Sequence, residues 1–284
     1  MRPLAILLIA CLFPCAALAG APSAGSSDAP AAAPGKEPPR RTASDVLTVT
    51  WDVPQPLRGL YEKYLPPPSG DIDPDRRVIA RRAWLRDVRK RVPQIAAAEG
   101  YFSPTFDIRF DEQRRDRVTV TVKPGPLTTV GKVDIEFAGD LAGEGAEREK
   151  RRERLRKAWT LAAGAPFRSA DWELAKTKLL ERLDDRDYAA GTIAESEARV
   201  DAEATRADLK LVLDSGPRFT FGDVFIEGLQ HYPESVIRRV VFLKHDEPYS
   251  RARLDELQRI VQNGPWFSSV VVDIERDRGH PELA

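Results

Sequence analysis

The stretch VTVTVKPGPLTTVGKVDI, residues 118–135, returns as LKLVLDSGPRFTFGDVFI, residues 209–226. Val118, Val120, Val122, Gly125, Pro126, Gly131, Val133 and Ile135 are matched by Leu209, Leu211, Leu213, Gly216, Pro217, Gly222, Val224 and Ile226, each pair 91 residues apart. A constant offset across positions of matched character marks an internal repeat. Inside each copy, apolar residues alternate before a Gly-Pro and resume after it, which reads as a strand, a turn and the next strand. A second echo, at an offset of 82, carries Leu161, Pro166 and Phe167 to Leu243, Pro248 and Tyr249. Together the echoes divide the chain into units at about 46–126, 127–217 and 218–284.

Outward from the first copy, the elements of one unit can be read. Leu47, Val49, Trp51 and Val53 alternate with Thr48, Thr50 and Asp52, the pattern of a half-buried strand. Leu57–Tyr64 is a short helical stretch, and Pro66-Pro67-Pro68-Ser69-Gly70 forces a loop. Asp73 and Pro74 suit an N-cap and first helical residue, and Trp84, Leu85, Val88, Val92 and Ile95 recur at helical spacing. Pro93 is expected to kink or break that helix. Phe106, Ile108 and Phe110 then alternate with Asp107 and Arg109, ahead of the Val118–Val122 strand. The order is β-α-α-β-β in an α+β fold, with the last two strands antiparallel because their connection is short. The third unit has two expected strands (Val224, Ile226; Val270, Val272, Ile274), a short helix after Pro233 and a helix over Arg251–Gln262 with Ser250 as its cap. It stops before a last strand and is expected to be incomplete.

The amino terminus reads as a secretory signal peptide over residues 1–19: Arg2, an apolar run from Leu4 to Phe13, and the small residues Ala17 and Ala19 at the cleavage site. Leu8-Ile9-Ala10-Cys11 offers a lipobox as the rival reading. Both cysteines, Cys11 and Cys15, fall inside the removed segment, so no disulfide is expected in the mature protein. Residues 20–45 are rich in Ala, Pro, Ser and Gly and are expected to be a disordered linker, since they offer little to bury against the entropy of ordering.

Lys plus Arg and Asp plus Glu both number 44, so no net field draws the chain to nucleic acid or an anionic surface. His231, His245 and His280 lack metal-type spacing, and neither GxSxG nor HExxH occurs. Asp71, Asp73 and Asp75 begin like a calcium loop, but Arg76 and Arg82 occupy its glycine and glutamate positions. The Arg-rich run Glu147–Lys157 reads as a solvated helix.

Gly100-Tyr101-Phe102 and Pro265-Trp266-Phe267, placed before a strand, together with Gly216-Pro217 between units and Gly228 beyond, resemble the motif positions of POTRA domains. Asp187-Tyr188 departs from that pattern in the middle unit. From about Val46 to Ile274 the chain is similar to TamA-like outer-membrane protein assembly factors of the BamA/TamA superfamily. The resemblance implies a non-enzymatic periplasmic arm at the outer membrane of a Gram-negative bacterium, with no cofactor, and membrane contact through a β-barrel that these residues do not include. It implies a TamB-like inner-membrane partner and unfolded outer-membrane protein clients. A two-partner secretion transporter is the alternative with fewer units, and a divisome protein with one unit would keep an uncleaved anchor.

The strand order of this family leaves the second strand at the sheet edge, where a client strand can add by main-chain hydrogen bonds. Phe106, Asp107, Ile108, Arg109 and Phe110 are the candidate edge. Asp107 and Arg109 also serve to keep such an edge soluble, and the aromatic signals read as core or turn packing rather than client contacts.

Overall fold

The computed structural model describes residues 47–69, 73–114, 116–229 and 232–281. The expected signal peptide with Ala17 and Ala19, the linker at 20–45 and His231 lie outside the described residues.

The first sheet has β1 (Thr48–Asp52), β2 (Thr105–Phe110) and β3 (Arg117–Lys123) in the order β1-β3-β2, with β3 parallel to β1 and antiparallel to β2. Val118, Val120 and Val122 point from β3 into the core beside Trp51, while Thr119 and Thr121 point away. Two helices, α1 (Leu57–Tyr64) and α2 (Pro74–Ala98), supply the other half of that core. Trp84, Val88, Val92 and Ala96 of α2 recur every fourth residue and are buried, and side chains of the larger type each contribute roughly 1.5–3 kcal/mol by leaving water. Trp51 stacks on Tyr61 at 4.9 Å and meets Trp84 edge-on at 6.4 Å. The Tyr61 hydroxyl donates to the Val92 carbonyl at 3.2 Å, and burial pushes its pKa up to about 12.

Pro93 does not end α2, which runs on to Ala98. The missing Pro93 N–H removes one helical bond. Val92 and Ala96 on either side are fully buried, so tertiary packing holds the last turn in place against that loss.

The second sheet repeats the first: β4 (Thr129–Ala138), β5 (Thr192–Asp201) and β6 (Arg206–Asp214) lie in the order β4-β6-β5, with β6 parallel to β4 and antiparallel to β5. Leu209, Leu211 and Leu213 are buried on β6 as Val118, Val120 and Val122 are on β3, so the 91-residue offset superposes two central strands. A 3-10 turn (Gly139–Ala142), α3 (Ala146–Ala158) and α4 (Ser169–Asp184) complete this unit's helical layer. The α3 helix buries only Leu155 but is not simply solvated. Arg151 donates to the carbonyls of Arg182, Leu183 and Arg186 at 2.8, 3.3 and 3.4 Å, and Arg152 to those of Leu141 and Gly143 at 2.5 and 2.9 Å. Carbonyls at the end of α4 and in the 3-10 turn lack helical partners, and these guanidinium groups satisfy them.

The two offsets meet in a repeated joint. Thr128 N–H donates to Gly100 O and Phe167 N–H to Thr128 O; 91 and 82 residues on, Phe219 N–H donates to Asp187 O and Tyr249 N–H to Phe219 O. The isolated bridges Thr129–Pro166 and Thr220–Pro248 follow the same offsets. Asp187 takes a positive φ of 69°, as Gly100 does at 92°, which explains how the middle copy dispenses with the glycine.

Past this second joint the repeat changes. The helices α5 (Ser235–Arg238) and α6 (Arg251–Gln262) form, but neither Val224–Ile226 nor Val270–Ile274 is a strand, contrary to the expectation. Each earlier outer strand is held by a central one, β3 or β6, and no counterpart occurs among the described residues. Ser250 precedes α6 without a side-chain capping bond, and its carbonyl accepts the N–H groups of Arg253 and Leu254 instead.

Candidate protein-binding edge

The β2 strand lies at the edge of the first sheet, paired to β3 with Phe106 opposite Val122, Ile108 opposite Val120 and Phe110 opposite Val118. Asp111 N–H donates to Arg117 O at 3.1 Å, which fixes the alternation: main-chain groups of Thr105, Asp107 and Arg109 face β3, and those of Phe106, Ile108 and Phe110 face outward. The side chains of these three nevertheless turn toward the core, half-buried. The edge thus presents backbone, with Asp107 and Arg109 above it.

One outward donor is already occupied. Ile108 N–H donates to Asp107 Oδ1 at 2.9 Å, and Asp107 Oδ2 accepts from Arg109 Nε at 2.7 Å. The Arg109 hydrogen bond holds the Asp107 carboxyl below its ordinary pKa, so it remains an acceptor across the physiological range. Phe106 N–H and Phe110 N–H have no partner among the described residues. The Arg81 guanidinium lies 4.1 Å over the Phe110 ring.

The motif positions fall at joints and turns, away from this edge. An added Cβ at Gly100 would sit 2.3 Å from Phe167 O, so the close approach at the joint needs a glycine. Tyr101 packs against the first core, and Phe102 stacks on Phe167 at 6.1 Å, packed against the second. Gly216 turns the chain with φ 63°, and Pro217 leads from there into Arg218. Gly228 has a φ of 79° with open space around it. Trp266 folds over Gly264, and Phe267 meets Tyr232 edge-on at 5.9 Å.

Two features escaped the sequence reading. The first is β5, a ten-residue edge strand whose alternation is broken by a bulge between Ile193 and Glu195 and carried only by Ile193, Ala198 and Val200. No side chain caps its N–H groups among the described residues, so it is a longer and more open edge than β2. The second is a polar cluster at the second joint. Asp140 accepts from Arg148 at 2.6 Å and from the Tyr188 hydroxyl at 2.8 Å, and pairs with Arg218 at 3.3 Å. Asp140 is only 19% exposed, and chiefly the Arg148 hydrogen bond lowers its pKa. Arg278 reaches back to Asp214, the Ala190 carbonyl and the Thr192 hydroxyl, tying the last described residues to the second sheet.

This geometry, a repeated mixed sheet with an outer second strand, can be set beside known proteins. Residues 219–282 match the POTRA family model, described as surface antigen variable number repeat. Among solved structures, the chain is similar to POTRA domains 3–5 of BamA from Haemophilus influenzae, at 19% identity over 85% of this chain and 93% of that one, with a TM-score of 0.47. It is similar to POTRA domains 1–3 of Omp85 from Anabaena at 16% identity, over 81% and 88% of the two chains, with a TM-score of 0.34. The N-terminal domain of Omp85 from Thermosynechococcus elongatus gives 16% identity over 85% and 94%, with a TM-score of 0.32.

Proposed function

We propose that this chain is the periplasmic POTRA arm of a TamA-like assembly factor, built of units at about 46–126, 127–217 and 218–284. In this reading it works at the outer membrane of a Gram-negative bacterium, beside a TamB-like inner-membrane partner and a membrane β-barrel. It assists insertion of outer-membrane proteins by binding their unfolded strands through main-chain hydrogen bonds, with no chemical step.

The observation that carries the reading is the twice-repeated sheet order, in which the second strand of each unit, β2 and β5, stays at an open edge. Backbone recognition demands little of the client sequence, which suits a factor serving many clients. The POTRA match at residues 219–282 supports the same assignment.

The test is site-specific photo-crosslinking with an unfolded outer-membrane protein. A photoreactive residue at Arg109, above the β2 edge, is expected to capture the client, and one at Arg89, exposed on α2 and remote from any strand edge, is not. Equal capture at both positions, or none at either, refutes edge binding. Co-purification of the full chain with a TamB-like protein tests the partner separately.

A further inference from the structure

The chain is neutral overall, with 44 basic and 44 acidic residues, but its charge is sorted. Along α2 the basic residues far outnumber the acidic ones, which are Asp75 and Asp87 alone. Trp84, Val88 and Val92 mark the side of the helix that packs on the first sheet. At 3.6 residues per turn, Arg82, Arg86, Arg89 and Lys90 fall on the other side, within an arc of roughly 100°, and all four are exposed. Ile79 begins the same stripe at 66% exposure, with Val78 beside it at 54%.

These cations are not used inside the protein. Arg82, Arg86, Arg89 and Lys90 make no ion pair and no side-chain hydrogen bond among the described residues. The nearby acids Glu62 and Glu99 are already committed, to Arg58 at 3.0 Å and Arg168 at 3.6 Å. The other basic helix, α3, shows the opposite arrangement: Arg148 holds Asp140 at 2.6 Å, Lys150 holds Glu147 at 3.0 Å, Arg152 pairs with Glu149, and Arg151 binds carbonyls. On α2, Arg82 and Arg86, and again Arg86 and Lys90, stand four residues apart, and like charges at that spacing disfavour a helix. An anionic partner relieves that repulsion.

The stripe also indicates which kind of anion fits. From Ile79 to Lys90 it runs straight for roughly 17 Å at about 1.5 Å per residue. Guanidinium groups match phosphate oxygens two at a time, so a row of them suits a surface of repeated phosphates. An acidic protein segment would answer the arginines but gives no account of Val78 and Ile79, bare to water at one end of the row. A bilayer surface answers both, with headgroup phosphates for the cations and the acyl boundary for the two apolar side chains.

We propose that the exposed face of α2 docks the first unit on a bilayer surface rich in anionic phospholipid. Arg82, Arg86, Arg89 and Lys90 meet headgroup phosphates, and Val78 and Ile79 enter the acyl boundary. The inference goes beyond the assembly reading and does not depend on client binding. Because the stripe faces away from the sheet that α2 covers, the β2 edge stays open while the helix is docked.

Co-sedimentation of the full chain with vesicles of phosphatidylcholine, with and without about one-third phosphatidylglycerol, tests the proposal. The expected result is binding to the anionic vesicles that weakens as salt is raised. Combining Arg82→Gln, Arg86→Gln and Arg89→Gln is expected to lower the partition coefficient on the order of 100-fold, at roughly fivefold per basic residue brought to the surface. These positions are exposed and glutamine is a good helix former, so circular dichroism should be unchanged. Ile79→Ser should weaken binding further. A control combining Lys178→Gln, Arg182→Gln and Arg259→Gln removes the same charge from exposed positions on α4 and α6 and should leave binding near wild type. Equal loss in the control, binding that survives the α2 substitutions, or no vesicle binding at all overturns the proposal. Capture of soluble polyglutamate through the same arginines, without vesicle binding, overturns it in favour of an acidic protein. Client capture at Arg109 is read separately, so either reading can fail alone.

Discussion

Gly100→Ala should separate backbone strain from steric exclusion at the joint. The substituted residue would keep a φ of 92°, costing roughly 1–3 kcal/mol for a left-handed non-glycine backbone. Its Cβ would lie 2.3 Å from Phe167 O and 3.1 Å from Leu127 Cδ1, and relieving such overpacking costs about 1–3 kcal/mol more. The total of about 2–6 kcal/mol lowers Tm by roughly 4–24 °C at about 2–4 °C per kcal/mol. Gly164→Ala is the control: φ is 84° but nothing lies within 4 Å, so only strain of roughly 1–2 kcal/mol applies. Thermal melts followed by circular dichroism give both values, and hydrogen exchange at Thr128, whose N–H donates to Gly100 O at 2.9 Å, should quicken only in Gly100→Ala. Equal destabilisation by the two substitutions would refute the argument that Phe167 O excludes a side chain at Gly100.

Leu211→Ala, at a position 1% exposed on the central strand β6, is expected to cost about 2–5 kcal/mol, read by urea titration. Asp107→Ala frees the outward N–H of Ile108 and removes a charge from the β2 edge, so light scattering should show concentration-dependent association that the wild-type chain lacks. Acid should loosen the second joint: the folded pKa of Asp140 is depressed by Arg148, so its stabilisation is full above the ordinary carboxylate pKa and fades as pH falls through the lower folded value. Melts across that acid range should show a smaller pH dependence for Asp140→Asn than for wild type.

Much of the fold was written in short-range alternation. Val118, Val120 and Val122, and their leucine counterparts on β6, announce a central strand because each is a buried apolar residue between polar ones. The joint was present as two offsets whose meaning is geometric: Thr128 and Phe167 keep their separations from Phe219 and Tyr249 because the same pair of main-chain bonds is made twice. Pro93 does not break α2 because the burial of Val92 and Ala96 on either side, which no local rule contains, holds the last turn. The β5 edge escaped because its bulge shifts the alternation. Along 222–228 and 268–275 the pattern is sound, yet a ladder needs a partner that these residues alone do not provide. The capping of Ile108 by Asp107 shows why residue type alone did not settle the role of the edge, since the same carboxylate that keeps it soluble occupies one of its donors.

Hydrogen exchange of the full chain, with and without an unfolded outer-membrane β-barrel protein, tests the central claim most directly. Edge docking predicts slowed exchange at the outward-facing amides of Phe106 and Phe110 and along β5, with Asp107 and Arg109, already bonded to β3, unchanged. Binding of the client with no added protection on either edge strand would contradict the account.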